Sequence, residues 1–179
     1  TLLSELGLTY LKDLTYQKAI PHLEKSVKLN NDDFKSHFHL ALAYSAVGRH
    51  PEKLKELQET LRINPNFAEA NLKIGLAHAA LNRHQVASEY YRKAIKQKPE
   101  NHDMHYFLAL SCLLSNRYLE ALSAVQESLR INPNNAEAHY TLGHIYMKLG
   151  RYKKAIQPLQ KAINIDPELI TTLSHNSFR

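Results

Sequence analysis

The sequence predicts an all-α solenoid built from five helical hairpins, and two features of its 179 residues support this. Prolines recur every 34 residues, at Pro65, Pro99, Pro133 and Pro167. A fixed period of roughly 20 to 50 residues is typical of proteins whose repeats bury their apolar faces only against neighbouring repeats. Within each period, two apolar runs at helical spacing are separated by a turn residue such as Gly48 or Asn82. We therefore expect ten helices in five antiparallel pairs.

The repeats follow one another along nearly the whole chain. We expect the first, residues 1–33, to be a clipped repeat, because the chain begins inside the predicted first helix, as a fragment or processed form would. Complete repeats follow at 34–67, 68–101, 102–135 and 136–169, and together they predict a single array. Residues 170–179 are expected to form a capping segment or tail, in which Ile170 and Leu173 cover the apolar end of the last hairpin.

Local signals predict where each helix ends. Hairpin turns are expected at residues that tolerate left-handed backbone, namely Gly48, Asn82, Asn116 and Gly150. Leu14 departs from this rule in the first repeat. Second helices should end before the repeated proline, since the residue preceding a proline avoids helical geometry. Pro21 and Pro158 fall inside second helices, where each removes a backbone donor and predicts a kink.

Three columns of small residues predict where helices approach closely. Position 8 of the repeat holds Gly7, Ala41, Gly75, Ala109 and Gly143. Position 20 holds Ala19, Lys53, Ala87, Ala121 and Ala155, and position 27 holds Ser26, Thr60, Ala94, Ser128 and Ala162. Lys53 is the one large residue in these columns.

These columns resemble the tetratricopeptide repeat (TPR), which has a large residue, Leu, Gly or Ala, Tyr, then Ala, a Phe-like residue, Ala and Pro over 34 residues. The resemblance covers residues 1–169 and implies a right-handed α-solenoid of five TPR hairpins, followed by a short C-terminal helix or tail. It departs from the pattern at Leu14, at Lys53 and at Asn31, which stands where the first repeated proline is expected. TPR proteins are non-catalytic scaffolds for protein–protein interaction, so the resemblance implies a binding surface.

In the TPR family, the first helix of each pair lines a concave groove, and we expect its inward positions to be unusually apolar here. The predicted partner-binding residues are Leu8, Phe38, Leu42, Leu72, Leu76, Tyr106, Leu110, Leu113, Tyr140, His144 and Met147. An exposed apolar stripe of this length suits an apolar helix or peptide of a partner, or a second copy of the chain. Packing against the second helices is the alternative for any single leucine.

A second candidate surface is basic. Arginine recurs just after the turn, at Arg49, Arg83, Arg117 and Arg151, and should form one edge of the stack. With a formal net charge of +6, this edge suits an acidic protein, an anionic membrane or nucleic acid. Solvated turn residues are the alternative, and nucleic acid is disfavoured because the net charge changes sign between repeats.

Catalytic and cofactor sites are not expected. Eleven histidines are present, but His37, His105 and His139 share one packing column, and His102 with His105 lacks a third ligand at suitable spacing, so no metal is expected. Five glycines form no phosphate-binding loop, and no nucleophile, base and orienting group are recognisable. Cys112 is expected to be a buried, inert thiol because it occupies the column of core tyrosines.

Within the TPR proteins, three stretches are similar to the magnetosome-associated MamA family: residues 6–10, Ala19-Ile20-Pro21 and residues 37–40. That resemblance implies a cytoplasmic protein, peripheral on a magnetosome membrane through other proteins, that self-assembles into a homo-oligomeric coat when an N-terminal repeat of one copy enters the groove of another. A TPR adaptor for a different peptide is the alternative. The identity of any partner is not contained in these residues.

Overall fold

The structure is a computed structural model that describes residues 1–168. This part of the chain contains ten α-helices and no strand. The helices are α1 (Leu2–Lys12), α2 (Tyr16–Leu29), α3 (Phe34–Ala46), α4 (His50–Ile63), α5 (Ala68–Ala80), α6 (His84–Gln97), α7 (His102–Leu114), α8 (Tyr118–Ile131), α9 (Ala136–Lys148) and α10 (Tyr152–Ile165). The ten predicted helices are therefore confirmed, while the segment predicted at residues 170–179 lies outside the described residues.

All five hairpin turns share one backbone conformation. Gly48, Asn82, Asn116 and Gly150 have φ between 56° and 76°, as predicted, and Leu14 joins them at 58°. In every turn, the next residue donates its backbone N–H to a carbonyl five residues earlier, for example Arg117 to Cys112 at 2.8 Å and Thr15 to Tyr10 at 3.0 Å. This bond closes the first helix of each pair and is characteristic of a left-handed helix end.

The connections between hairpins use a second recurring device. The residue before each repeated proline ends its helix with a non-helical backbone, which is extended at Asn132 with φ −127° and ψ 91°. Asp33, Asn101 and Asn135 then cap α3, α7 and α9, because their side-chain oxygens accept a backbone N–H of the first helical turn.

The small columns are buried where helices approach closely. A methyl group added to Gly7 would lie 2.5 Å from Leu23 Cγ, and one added to Gly143 would lie 2.5 Å from Leu159 Cγ. In position 20 the four alanines are buried, whereas Lys53 is half-buried and burial lowers the pKa of its ammonium group. Only small side chains therefore fit at these positions. Lys53 is the exception, and the partial burial of its ammonium group costs desolvation energy.

By its internal contacts the chain falls into two compact units, Thr1–Ala77 and His78–Arg179. The boundary lies inside α5. In unit 1, α1 packs on α2, α2 on α3 and α3 on α4. In unit 2, α6 packs on α7, and the helices continue pairwise through α10. A single array of five repeats stays a prediction.

Candidate protein-binding surfaces

The first helices of consecutive repeats contact each other within each unit. In unit 1, α1 touches α3, and in unit 2, α7 touches α9. The second helices are spread apart instead, since a cleft of about 540 Å³ separates α2 from α4 and one of about 470 Å³ separates α6 from α8. The first-helix side is thus the closed side of each unit, where the sequence predicts the groove.

In unit 1, the predicted groove residues are half-buried, neither core nor fully exposed. Leu8, Leu42, Leu72 and Leu76 all fall in this range. Phe38 packs edge-on against Phe67 with ring centroids 4.9 Å apart, and that contact fixes its ring. These side chains keep apolar surface that a partner can cover.

In unit 2, the predicted groove residues differ in exposure. Tyr106, Leu110, Tyr140 and His144 are half-buried, and Met147 is exposed. Leu113 is buried in the core, so it supports packing and offers little surface. Tyr106 on α7 lies near Glu137 on α9, and burial, followed by that carboxylate, raises the pKa of its phenol.

His144 adds no charge to this face near neutral pH. Burial, and then the positive charge of Lys148, lower the pKa of its imidazole. Tyr140 lies beside it with ring centroids 6.0 Å apart. The predicted groove residues of unit 2 are therefore apolar or aromatic, apart from His144 with its neutral imidazole.

The four arginines of the predicted basic edge are not equivalent. Arg49 pairs with Glu52 at 2.8 Å and covers the Tyr44 ring at 4.4 Å. Arg117 donates to the Ser88 hydroxyl at 2.6 Å and to Glu120 at 3.3 Å. Arg83 and Arg151 are exposed. Arg49 and Arg117 thus have partners within the fold, although Arg49 is also exposed.

Sequence reasoning placed the histidines correctly but missed the contact they share. At position 4 of successive repeats, a side-chain N–H donates to the backbone carbonyl six residues earlier. The bonds are His37 to Asn31 at 3.2 Å, Asn71 to Pro65 at 3.2 Å, His105 to Pro99 at 2.8 Å and His139 to Pro133 at 2.9 Å. Each ties the loop between hairpins to the next first helix, so these side chains are structural. Asn71 in the histidine column was the signal available in the sequence.

The single cysteine has the surroundings of an inert thiol, and the acidic and histidine side chains of the described residues form no metal-binding cluster. Cys112 is fully buried, and burial raises the pKa of its thiol to about 11, as expected for an inert cysteine. Among residues 1–168, no three His, Cys, Asp or Glu side chains lie close enough together to hold a metal ion.

Comparisons with known proteins support a TPR-like fold. A family model described as anaphase-promoting complex, cyclosome, subunit 3 matches residues 80–162. No match was found among curated protein sequences.

Solved structures of MamA share this fold along almost their whole length. A structure described as MamA protein has a TM-score of 0.84 at 20% identity, covering 96% of this chain and 93% of that one. MamA AMB-1 gives 0.84 at 22% identity, covering 93% and 99%. MamA 41-end from Desulfovibrio magneticus RS-1 gives 0.83 at 15% identity, covering 94% and 95%. The chain is thus an all-α TPR solenoid whose fold resembles that of MamA, and identities this low speak for the fold alone.

Proposed function

We propose that this TPR protein is a non-catalytic scaffold that binds an apolar helix or extended segment of another protein on the first-helix face. The observation that carries the proposal is the row of half-buried apolar side chains on first helices that contact each other. Tyr106 and Leu110 on α7 and Tyr140 on α9 form this row in unit 2. Aromatic and large aliphatic side chains that are already partly ordered lose little entropy on binding and tend to dominate interfaces.

A second copy of the chain is the partner that we propose to test first. The expected location, cytoplasmic and peripheral on a magnetosome membrane, follows from the resemblance to MamA and stays a prediction. An apolar interface should persist in high salt, because ionic screening weakens interactions between exposed charges and leaves apolar contacts intact.

The test is light scattering of the purified protein across a concentration series, in low and in high salt. We expect salt-resistant assemblies that the Tyr106→Ala, Leu110→Ala double variant loses, with helicity by circular dichroism retained. Two single substitutions at sites of similar exposure provide a test variant and a control. Met147 on the groove face is 44% exposed, and Ile163 on α10 is 41% exposed. Met147→Ala should weaken assembly roughly tenfold, as the loss of a partly buried apolar side chain implies, whereas Ile163→Ala should not.

Two results would contradict the proposal at different levels. Assemblies that survive the double variant would exclude the first-helix face as the contact. A monomer under all conditions would exclude the second copy as partner and turn the search to a heterologous apolar peptide.

A further inference from the structure

The hairpins of unit 2 have two chemically different ends. Because α6 packs on α7 and α8 packs on α9, the antiparallel hairpins stack in one direction, and their turns lie at the same end. We call this end the turn edge (residues 80–87, 114–121 and 148–155) and the opposite end the loop edge (residues 97–104, 131–138 and 165–168). Bonds from Arg117 to Ser88 and from Arg92 to Glu120 join neighbouring hairpins close to the turn edge.

Charge is divided between these two ends. The turn edge carries six basic side chains, Arg83, Arg117, Lys148, Arg151, Lys153 and Lys154, against one carboxylate, Glu120. Glu120 is already paired with Arg92 and Arg117. The loop edge carries five carboxylates, Glu100, Asp103, Glu137, Asp166 and Glu168, against one lysine. Unit 2 is therefore strongly basic at the turns and acidic at the loops.

Local structure does not require arginine in the turns. Thr15 makes the same backbone hydrogen bond in the first turn as Arg83, Arg117 and Arg151 make in theirs. These arginines also stand at the start of α6, α8 and α10, where the helix dipole favours negative charge and disfavours a guanidinium group. Their charge thus costs a little stability. Arg117 offsets this cost through its bonds to Ser88 and Glu120, whereas Arg83 and Arg151 are exposed.

Large apolar side chains are exposed at the same edge. Leu81 is 56% exposed, Leu114 54%, Leu119 67% and Tyr152 68%, and we call these four the apolar tips. Each lies within three residues of a turn arginine in the sequence. Basic side chains alone could bind any polyanion, but the exposed leucines between them would find no apolar surface on a nucleic acid backbone. The headgroup region of a lipid bilayer offers phosphates for the basic side chains and, at nearly the same depth, the start of the acyl chains for the leucines.

We propose that the turn edge of unit 2 docks on the surface of an anionic lipid bilayer. The apolar tips enter the boundary between headgroups and acyl chains, while Arg83, Arg151 and Lys153 with its neighbour Lys154 bind lipid phosphates. Attachment is peripheral in this arrangement, and among residues 1–168 no helix is long and apolar enough to cross a membrane. No residue of the turn edge belongs to the predicted groove set on the first helices, so the two surfaces can be changed by different substitutions.

The experiment is co-sedimentation of the full chain with vesicles of phosphatidylcholine alone and of phosphatidylcholine mixed with phosphatidylglycerol. We expect binding to the mixed vesicles only, weakening as salt is raised. The Lys153→Gln, Lys154→Gln variant should bind roughly 10- to 30-fold more weakly, since each basic residue near an anionic surface contributes about 1 kcal/mol. Lys96→Gln with Lys161→Gln removes the same charge from exposed sites of unit 2 away from the turn edge and should change little.

A second variant separates lipid from other polyanions. Leu119→Gln should weaken vesicle binding roughly tenfold, as loss of one buried leucine implies, whereas Ile163→Gln, at a 41% exposed site further along α10, should not. Equal effects of edge and control variants would overturn the proposal. Binding to an oligonucleotide that Leu119→Gln leaves unchanged, without binding to vesicles, would overturn it in favour of nucleic acid. The Tyr106→Ala, Leu110→Ala variant should bind vesicles normally, so this proposal and the protein-scaffold proposal can fail independently.

Discussion

Leu14 carries backbone strain that its counterparts in the other turns avoid or reduce. It has φ 58° in a position that is otherwise glycine or asparagine, and its side chain is 68% exposed. A leucine in the left-handed region costs roughly 1–2 kcal/mol, and asparagine and glycine tolerate it better. We expect Leu14→Asn to raise the free energy of unfolding by about 1 kcal/mol in urea denaturation. The reverse change in the last turn, Gly150→Leu, should lower it by a similar amount, and a neutral result for both would show that these turns are not strained.

His37 is the residue whose protonation should matter for stability. Its Nδ1 lies 2.6 Å from a Glu56 carboxylate oxygen, and its Nε2 lies 3.2 Å from the Asn31 carbonyl oxygen. An imidazolium can donate to both, so the hydrogen bond with Glu56 raises the pKa of His37 above 6.5, although burial opposes it. A raised pKa means that this pair stabilises the fold fully below pH 6.5 and loses its contribution as pH rises through the folded-state value.

The matching experiment compares urea unfolding of the wild type and Glu56→Gln across pH. The variant should be less stable by roughly 1.5–3 kcal/mol at acidic pH, the usual range for a hydrogen bond to a charged group, and the gap should narrow at alkaline pH. His37→Asn is the control, because Asn71 makes the same bond to the preceding loop in the next repeat. This control should remove the pH dependence attributed to His37, and a gap that widens with pH would contradict the assignment.

At the scale of the helix, α10 contains a proline that its neighbours lack. Pro158 lies in the middle of Tyr152–Ile165 and is buried, and Ala124 is buried at the same position of α8. A proline in a helix interior costs about 3 kcal/mol, while its ring recovers part of this by packing. We expect Pro158→Ala to stabilise the protein by roughly 1–2 kcal/mol in urea denaturation. Pro167→Ala, outside the helix, should bring no such gain, and destabilisation by Pro158→Ala would mean that ring packing dominates.

The proline at position 158 also explains why one imidazole nitrogen of His139 has no partner. His139 Nδ1 is buried without a hydrogen-bond partner, whereas His37, at the same place in its repeat, has Glu56 on the following helix. Pro158 occupies the position that corresponds to Glu56 in the 34-residue register. Burial without a carboxylate accordingly lowers the pKa of His139, while His37 shifts in the opposite direction. Two histidines in one sequence column thus titrate differently because of one residue on the neighbouring helix.

At the scale of the whole molecule, the repeats provide surfaces of two kinds. The first-helix faces combine side chains from successive repeats within each unit, whereas the turn edge of unit 2 combines cations and leucines from three turns. In a repeat protein each repeat contacts mainly the repeats next to it, so a substitution on one surface should leave the other surface intact. The vesicle and light-scattering experiments depend on this independence.

Sequence patterns predicted the helices well, because the rules that set them are local. Apolar spacing, residues that tolerate left-handed backbone and the residue before proline act within a few positions, and the 34-residue period repeats them along the chain. For the same reason the groove could be proposed residue by residue from its register. The prediction was less accurate for Leu113, which the neighbouring helices bury, and for Arg117, whose partner Ser88 lies 29 residues away.

The sequence by itself thus determined the repeat length, the hairpins, their turns and the small columns where helices meet. Only the tertiary structure decided which apolar side chains stay exposed, which arginines are paired and which histidines carry a raised or lowered pKa. The physical reason is that burial and pairing are properties of neighbours from different repeats. Local sequence rules predict where helices form and end. They do not predict the distance between side chains of different repeats.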